Sequence, residues 1–245
     1  MPKKIMNLPE DCVSEAMEGF LAANKDYVQV EGASAIRVRR GGRSPVACCW
    51  ITPDGRRSVA WTKNNLDLLK SDEIPLEMIR RAKILHLDGH HPDAAVSAAR
   101  AAKAAGVLVN LDAGTFTPRI GELLELADIL IASEFFARKW SGESELEKAL
   151  AGLKTLGARV TGVTAGSAGS MLIAEDGTIL RCPAFRDLPV VDSTGAGDAY
   201  HCGFGVRYLE TGDLRECMRF ASAFAGLKCG KLGARAGLPT RKEVD

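Results

Sequence analysis

From Ile84 onward the chain repeats one pattern, a short apolar segment followed by a longer segment of helical composition. Ile84 to Asp88, Val107 to Leu111, Ile129 to Ala132 and Val160 to Thr164 are the apolar segments. Pro92 opens an alanine-rich helix that runs to Lys103 and stops before Gly106, and Glu143 to Leu156 is a helix ended by Gly157. Strands this short and apolar, alternating with helices, imply a parallel sheet covered on both faces, an α/β fold. Ligands of such sheets bind beyond the carboxyl ends of the strands. Asp88, Asp112, Ser133, Thr164 and Asp192 all fall at ends of that kind. Ahead of the alternating part, Ala33 to Val38, Val46 to Ile51 and Arg57 to Trp61 read as strands, with Pro53-Asp54-Gly55 as a hairpin turn between the last two.

One stretch carries recognisable chemistry: Asp192-Ser193-Thr194-Gly195-Ala196-Gly197-Asp198. It follows an apolar run ending at Val190-Val191, which reads as a strand, and precedes Ala199 to Leu209, which contains no proline and reads as a helix. A tight turn of small residues at a helix start points several backbone N–H groups at one spot, where the helix dipole adds positive charge. Such a hole suits phosphate. Asp198 at its rim can accept a proton from a hydroxyl, so one turn offers both parts of a phosphoryl transfer. The stretch is not a Walker A loop. The nearest approach to one, Gly226 to Lys231, has the wrong spacing and no Ser or Thr after the lysine. Nor is it a dinucleotide fingerprint, because the third glycine would fall on Tyr200.

Bulk properties narrow the partners. At 245 residues and a net charge of +1, without a basic block, the chain suits one sizeable domain, 1–245, and nothing favours nucleic acid or an anionic membrane. No apolar run approaches the roughly 20 residues of a membrane helix. Met1 to Asp11 lacks the apolar core of a secretory signal. The seven cysteines, Cys12, Cys48, Cys49, Cys182, Cys202, Cys217 and Cys229, form no Cys-x-x-Cys pair. They read as reduced thiols of a cytoplasmic protein.

The Asp192–Asp198 stretch resembles the signature of the ribokinase-type carbohydrate kinases, the phosphofructokinase-B superfamily. Val163-Thr164-Ala165-Gly166-Ser167-Ala168-Gly169 resembles the nucleotide loop of that family, and Phe220 to Pro239 resembles the helix and turn that close over adenine. Gly166-Ser167-Ala168-Gly169, Pro183-Ala184-Phe185 and Arg219-Phe220-Ala221-Ser222 are most like the sulfofructose kinase branch, with the ketohexokinase branch next. The likeness is firm from about Ala82 to the end. It implies a ribokinase-like three-layer sandwich with a mainly parallel sheet, 82–245 being the nucleotide-binding core and 33–61 a small β lid over the sugar. The other reading of 33–61 is an edge extension of the main sheet. The family's first strand and its Gly-Gly sugar segment find no counterpart here, since Gly41-Gly42 is flanked by Arg39, Arg40 and Arg43. The first strand or strands are therefore expected to be absent, and the 245-residue form to be a weak catalyst.

The resemblance also implies roles. Asp198 is the catalytic base, and Gly195, Ala196 and Gly197 are the anion hole. Ser133, Thr164, Gly166, Ser167, Gly169, Gly197, Ser222 and Cys229 lie along the ATP, although Cys229 reads equally as a small buried residue at a helix end. Asp88, His90 and Asp198 face the sugar, with a surface turn as the competing reading of Asp88 and a plain loop that of His90 and His91. Asp192 and Thr194 hold either the turn or a monovalent cation such as K+. Asp112 either binds Mg2+ through water or caps a strand end. His86 reads as core, His201 as either core or site, and Lys63, Asn64 and Asn65 as a solvated loop. The family's Asn-x-x-Glu is replaced by Ser133-Glu134-Phe135-Phe136. The expected activity is ATP-dependent transfer of the γ-phosphate to a hydroxyl of a ketose or an acidic sugar derivative, and the alternative is a truncated, non-catalytic relative that binds nucleotide or a partner. Sugar and ATP are the expected partners, and a homodimer is compatible with the sequence.

Overall fold

The computed structural model describes residues 46–51, 57–62 and 67–245. The expected strand Ala33 to Val38, the hairpin turn at Pro53-Asp54-Gly55, and Lys63, Asn64 and Asn65 lie outside the described residues. Strands β1 (Val46–Ile51) and β2 (Arg57–Thr62) pair antiparallel, Val46 opposite Thr62, as the sequence predicts. They form a two-stranded sheet of their own.

Among the described residues the main sheet has six strands in sequential order. Its members are β3 (Ile84–Leu87), β4 (Leu108–Ala113), β5 (Ile129–Ser133), β6 (Val160–Thr164), β7 (Ser170–Ile173) and β8 (Ile179–Cys182). The first four are parallel, with Leu85 opposite Val109, Leu111 opposite Leu130, and Leu130 opposite Thr161. The last two return antiparallel, Gly162 opposite Leu172 and Leu172 opposite Leu180. The parallel part was legible as apolar runs. The hairpin β7–β8 was not anticipated.

Helices α1 (Leu76–Arg81), α2 (Pro92–Ala104), α3 (Ile120–Leu126), α4 (Glu134–Ser141) and α5 (Leu146–Lys154) connect the strands up to β6. Helices α6 (Ala196–Thr211) and α7 (Leu214–Lys228) follow β8, and a short α8 (Arg241–Val244) ends the chain. Successive strand residues point to opposite faces, and the core divides accordingly. Val109, Leu111, Leu130, Ala132 and Val163 pack with Val96, Leu123, Phe136 and Leu150 of α2 to α5. Ile129, Ile131, Val160, Leu172 and Leu180 pack with Tyr200, Phe204, Met218 and Ala221 of α6 and α7. The result is helices, sheet, helices: the three-layer α/β sandwich.

Three expectations are corrected. Val190 and Val191 form no strand: they are 52% and 47% exposed. Pro189 has no N–H to give a ladder, and the N–H groups of Val191 and Asp192 donate to the carbonyl of Cys229, at 2.8 and 3.1 Å. Asp192 is therefore a buried loop residue and not a strand end. His86 is not part of the core: its residue surface is partly open, while its ring is held against Asn110. Finally, α6 begins at Ala196 and not Ala199, which brings Gly197 and Asp198 inside its first turn.

Candidate active site

The glycine turn is shaped by Gly195. It caps α6 with φ 79° and ψ 8°, the left-handed region that glycine enters without penalty. A Cβ there would stand 3.0 Å from the Ala234 carbonyl oxygen. No side chain caps this helix start. The N–H of Ala196 donates to Ser193 and that of Ala199 to Gly195. The first-turn amides between them suit an anion. Gly197 faces open space, and Asp198 beside it is exposed.

Asp192 anchors the turn from below. Its side chain is buried, with Oδ1 accepting from the Thr194 N–H at 2.8 Å and Oδ2 from the Gly233 N–H at 2.7 Å. Burial acts to raise its pKa, but the Thr194 side chain, those backbone hydrogen bonds and the Lys228 charge prevail and hold it below the ordinary carboxylate value. The Nζ of Lys228, 0% exposed, donates to the Asp192 carbonyl at 2.8 Å. The Asp192 carbonyl already holds an ammonium, which argues against K+ at that oxygen. Of the two readings of Asp192, the geometry favours the one that holds the turn.

Strand-end acids gather near Asp198. Asp112 near the end of β4 places Oδ1 3.3 Å from Nε2 of His201, a buried residue one turn beyond Asp198 on α6. Asp112 is 19% exposed, so its carboxylate still meets water, which fits a water-mediated Mg2+ contact. Burial raises its pKa, but the His201 hydrogen bond and charge outweigh this, and the value falls. His86 accepts a hydrogen bond from Asn110 Nδ2 at 3.2 Å. Desolvation and then His201 lower the His86 pKa, against the pull of Asp112, Asp88 and Asp198. These three carboxylates thus act on one imidazole. Asp88 follows β3, with Oδ1 accepting from the His90 N–H at 3.0 Å and Oδ2 3.2 Å from His90 Nδ1. The two side chains are open to solvent. His91 instead starts α2, its Nδ1 accepting from the Leu69 N–H.

A second group forms at β6 and α7. Thr164 ends β6, and Gly166–Ala168 form a single 3-10 turn with Ser167 exposed. Gly169, φ 94°, lies where a Cβ would strike the Cys182 carbonyl. Cys182 Sγ is 3.6 Å from Ser222 Oγ on α7. Ser222 therefore adjoins the turn through the end of β8. Ser133 serves as N-cap of α4, its Oγ accepting from the Phe136 N–H at 3.2 Å. Cys229 is the C-cap of α7, and burial pushes its thiol pKa up.

A model of the pfkB family carbohydrate kinases matches residues 19–241. The chain belongs to that family. An ATP-dependent ribose-1-phosphate kinase of Halopiger xanaduensis is 32% identical over 219 residues, 89% of this chain and 71% of that protein. A ribokinase of Arabidopsis thaliana is 32% identical over 231 residues, 89% of this chain but 58% of that one. A solved structure of Arabidopsis thaliana ribokinase complexed with ribose and ATP superposes with a TM-score of 0.69 at 32% identity, covering 81% of this chain and 67% of that one. None of the three is named a sulfofructose kinase or ketohexokinase, so they lend that narrower likeness no support.

In this pfkB-family chain the structure brings Asp198 and the glycine turn together with Asp88 and Asp112, and joins the Thr164–Gly169 turn to Ser222. Ser133 and Cys229 are engaged in capping helices. Two residues were missed. His201 was left undecided, since its pairing with Asp112 depends on which strand packs beneath α6. Lys228 gave no signal, because a lysine at a helix end ordinarily faces solvent.

Proposed function

We propose that the chain is an ATP-dependent carbohydrate kinase that passes the γ-phosphate to a sugar hydroxyl of a ketose or an acidic sugar derivative. The observation that carries this reading is the exposed carboxylate of Asp198 in the first turn of α6, directly after the glycine N-cap. Asp198 takes the proton of the acceptor hydroxyl as its oxygen attacks phosphorus. The Ala196 N–H, expected in the anion hole, is taken by the Ser193 carbonyl, so the amides of Gly195, Gly197 and Asp198 hold the charge that builds on the transferring group. Mg2+, where bound, neutralises phosphate oxygens, and Asp112 would hold it through water. The Thr164–Gly169 turn and Ser222 line the nucleotide, with Ser133 and Cys229 framing it. Asp88 and His90, both solvent-facing at the end of β3, orient the sugar. Relatives named ribokinase, ribose-1-phosphate kinase, nucleoside kinase and fructokinase support the reaction class and span several acceptors.

The domain reading 1–245, with 33–61 as a lid, belongs to the same proposal, as do a cytoplasmic location and a homodimer. No helix among the described residues is long and apolar enough to cross a membrane. The test is ADP release from ATP and Mg2+ with a panel of acceptors: fructose, ribose, their phosphorylated and acidic derivatives, and nucleosides. Turnover on a ketose or an acidic sugar supports the proposal. Activity confined to neutral nucleosides contradicts the substrate class. Nucleotide binding without transfer to any acceptor contradicts the kinase and leaves a binding protein.

A further inference from the structure

Lys228 is fully buried at the last turn of α7, and its ammonium donates to the carbonyl of Asp192 at 2.8 Å. A buried ammonium is costly unless anions and dipoles surround it. Two features here do so. The Asp192 carboxylate belongs to the same loop and feels the Lys228 charge. The negative end of the α7 dipole also falls at Lys228.

The position matters more than the burial. Asp192 begins the loop that leads to the Gly195 cap, and its N–H and that of Val191 donate to the carbonyl of Cys229, the residue after Lys228. Its Oδ2 accepts from Gly233 beyond them. The turn is thus suspended from the Lys228–Gly233 segment, with a positive charge bonded to the backbone three residues before the Gly195 cap. That charge adds to the positive field of the helix start.

We propose that the Lys228 ammonium is a built-in monovalent cation for the phosphate-binding turn, so that this chain works without added K+. It is a positioning residue: it acts on phosphate through the turn and touches no reacting atom. Its removal leaves the Asp192 carbonyl without the ammonium. Lys228→Ala therefore creates room and an oxygen ligand for K+, whereas Lys228→Met removes the charge but keeps the space filled.

The test measures thermal unfolding without nucleotide, and ATP affinity by calorimetry, in potassium chloride and in tetramethylammonium chloride at equal ionic strength. The unchanged chain is expected to give the same melting temperature and the same ATP affinity in both salts. In tetramethylammonium, Lys228→Ala should melt lower and bind ATP about tenfold or more weakly, as expected for the loss of one charged hydrogen bond. Potassium should restore both. Lys228→Met should be weakened and indifferent to the salt. A merely structural lysine would give losses that no ion repairs, and that result overturns the proposal. So does an unchanged chain that loses stability or ATP affinity when potassium is withdrawn. If Lys228→Ala does not fold, the unchanged chain in the two salts decides. If no ATP binds at all, the kinase reading fails, while the melting temperatures still decide the role of Lys228.

Discussion

Nε2 of His201 stands 3.3 Å from Oδ1 of Asp112, tying the helix that carries Asp198 to the carboxyl end of β4. The pair keeps Asp112 ionised against its burial. The folded pKa lies below the ordinary 3.8, so the stabilisation is complete above pH 3.8 and fades as the pH falls through the folded value. Urea unfolding of the unchanged chain and of Asp112→Asn, followed from neutral to acid pH, should show a stability gap that is constant at higher pH. The gap should close only in acid. A gap that widened on acidification would contradict this sign.

Removal of His201 should act on metal rather than on sugar. Without the imidazole, Asp112 loses the group that orients it, and such outer partners are worth about 10–100-fold in metal affinity. His201→Ala should shift the Mg2+ requirement upward by that order, with the Michaelis constant for sugar little changed. Asp112→Asn should shift it in the same direction. Steady-state kinetics over a magnesium titration checks both. An unchanged magnesium requirement in His201→Ala would mean that the pair only braces the core.

Gly195→Ala places a Cβ on a residue with φ 79° and 3.0 Å from the Ala234 carbonyl oxygen. Left-handed backbone at a residue other than glycine costs about 1–3 kcal/mol. Denaturant unfolding should show a loss of at least that order, with weaker ATP binding as the amides turn away. Gly197→Ala is the control, since a Cβ at Gly197 meets nothing within 4 Å. It should fold with near-normal stability. Equal stability of the two variants would remove the case for a strained, preset turn.

The parallel sheet could be read from the chain because each strand is a continuous apolar run between helices, and burial on both faces demands that composition. The hairpin β7–β8 could not. Its strands are only four residues each, and although Met171-Leu172-Ile173 and Ile179-Leu180 flank an Asp176-Gly177 turn signal, runs this short do not separate a hairpin from loop. Val190-Val191 misled for the opposite reason: the run is apolar, but its backbone is bonded by a helix-end carbonyl from 38 residues onward in the chain, Cys229 to Val191. In the site, Asp198 and the glycines were legible because turn, helix start and acid adjoin in sequence. His201 with Asp112, and Lys228 with Asp192, come together only by packing, and no local spacing announces them.

The most direct measurement is turnover and ATP affinity of Asp198→Asn at saturating sugar, ATP and Mg2+. The amide keeps the shape of the carboxylate but cannot take the hydroxyl proton. Turnover should fall by about 10²–10⁴-fold, the ordinary worth of a general base, while the ATP dissociation constant stays nearly the same because the backbone anion hole is intact. Near-normal turnover would show that Asp198 is not the base and that the proposed phosphoryl transfer does not run through this turn.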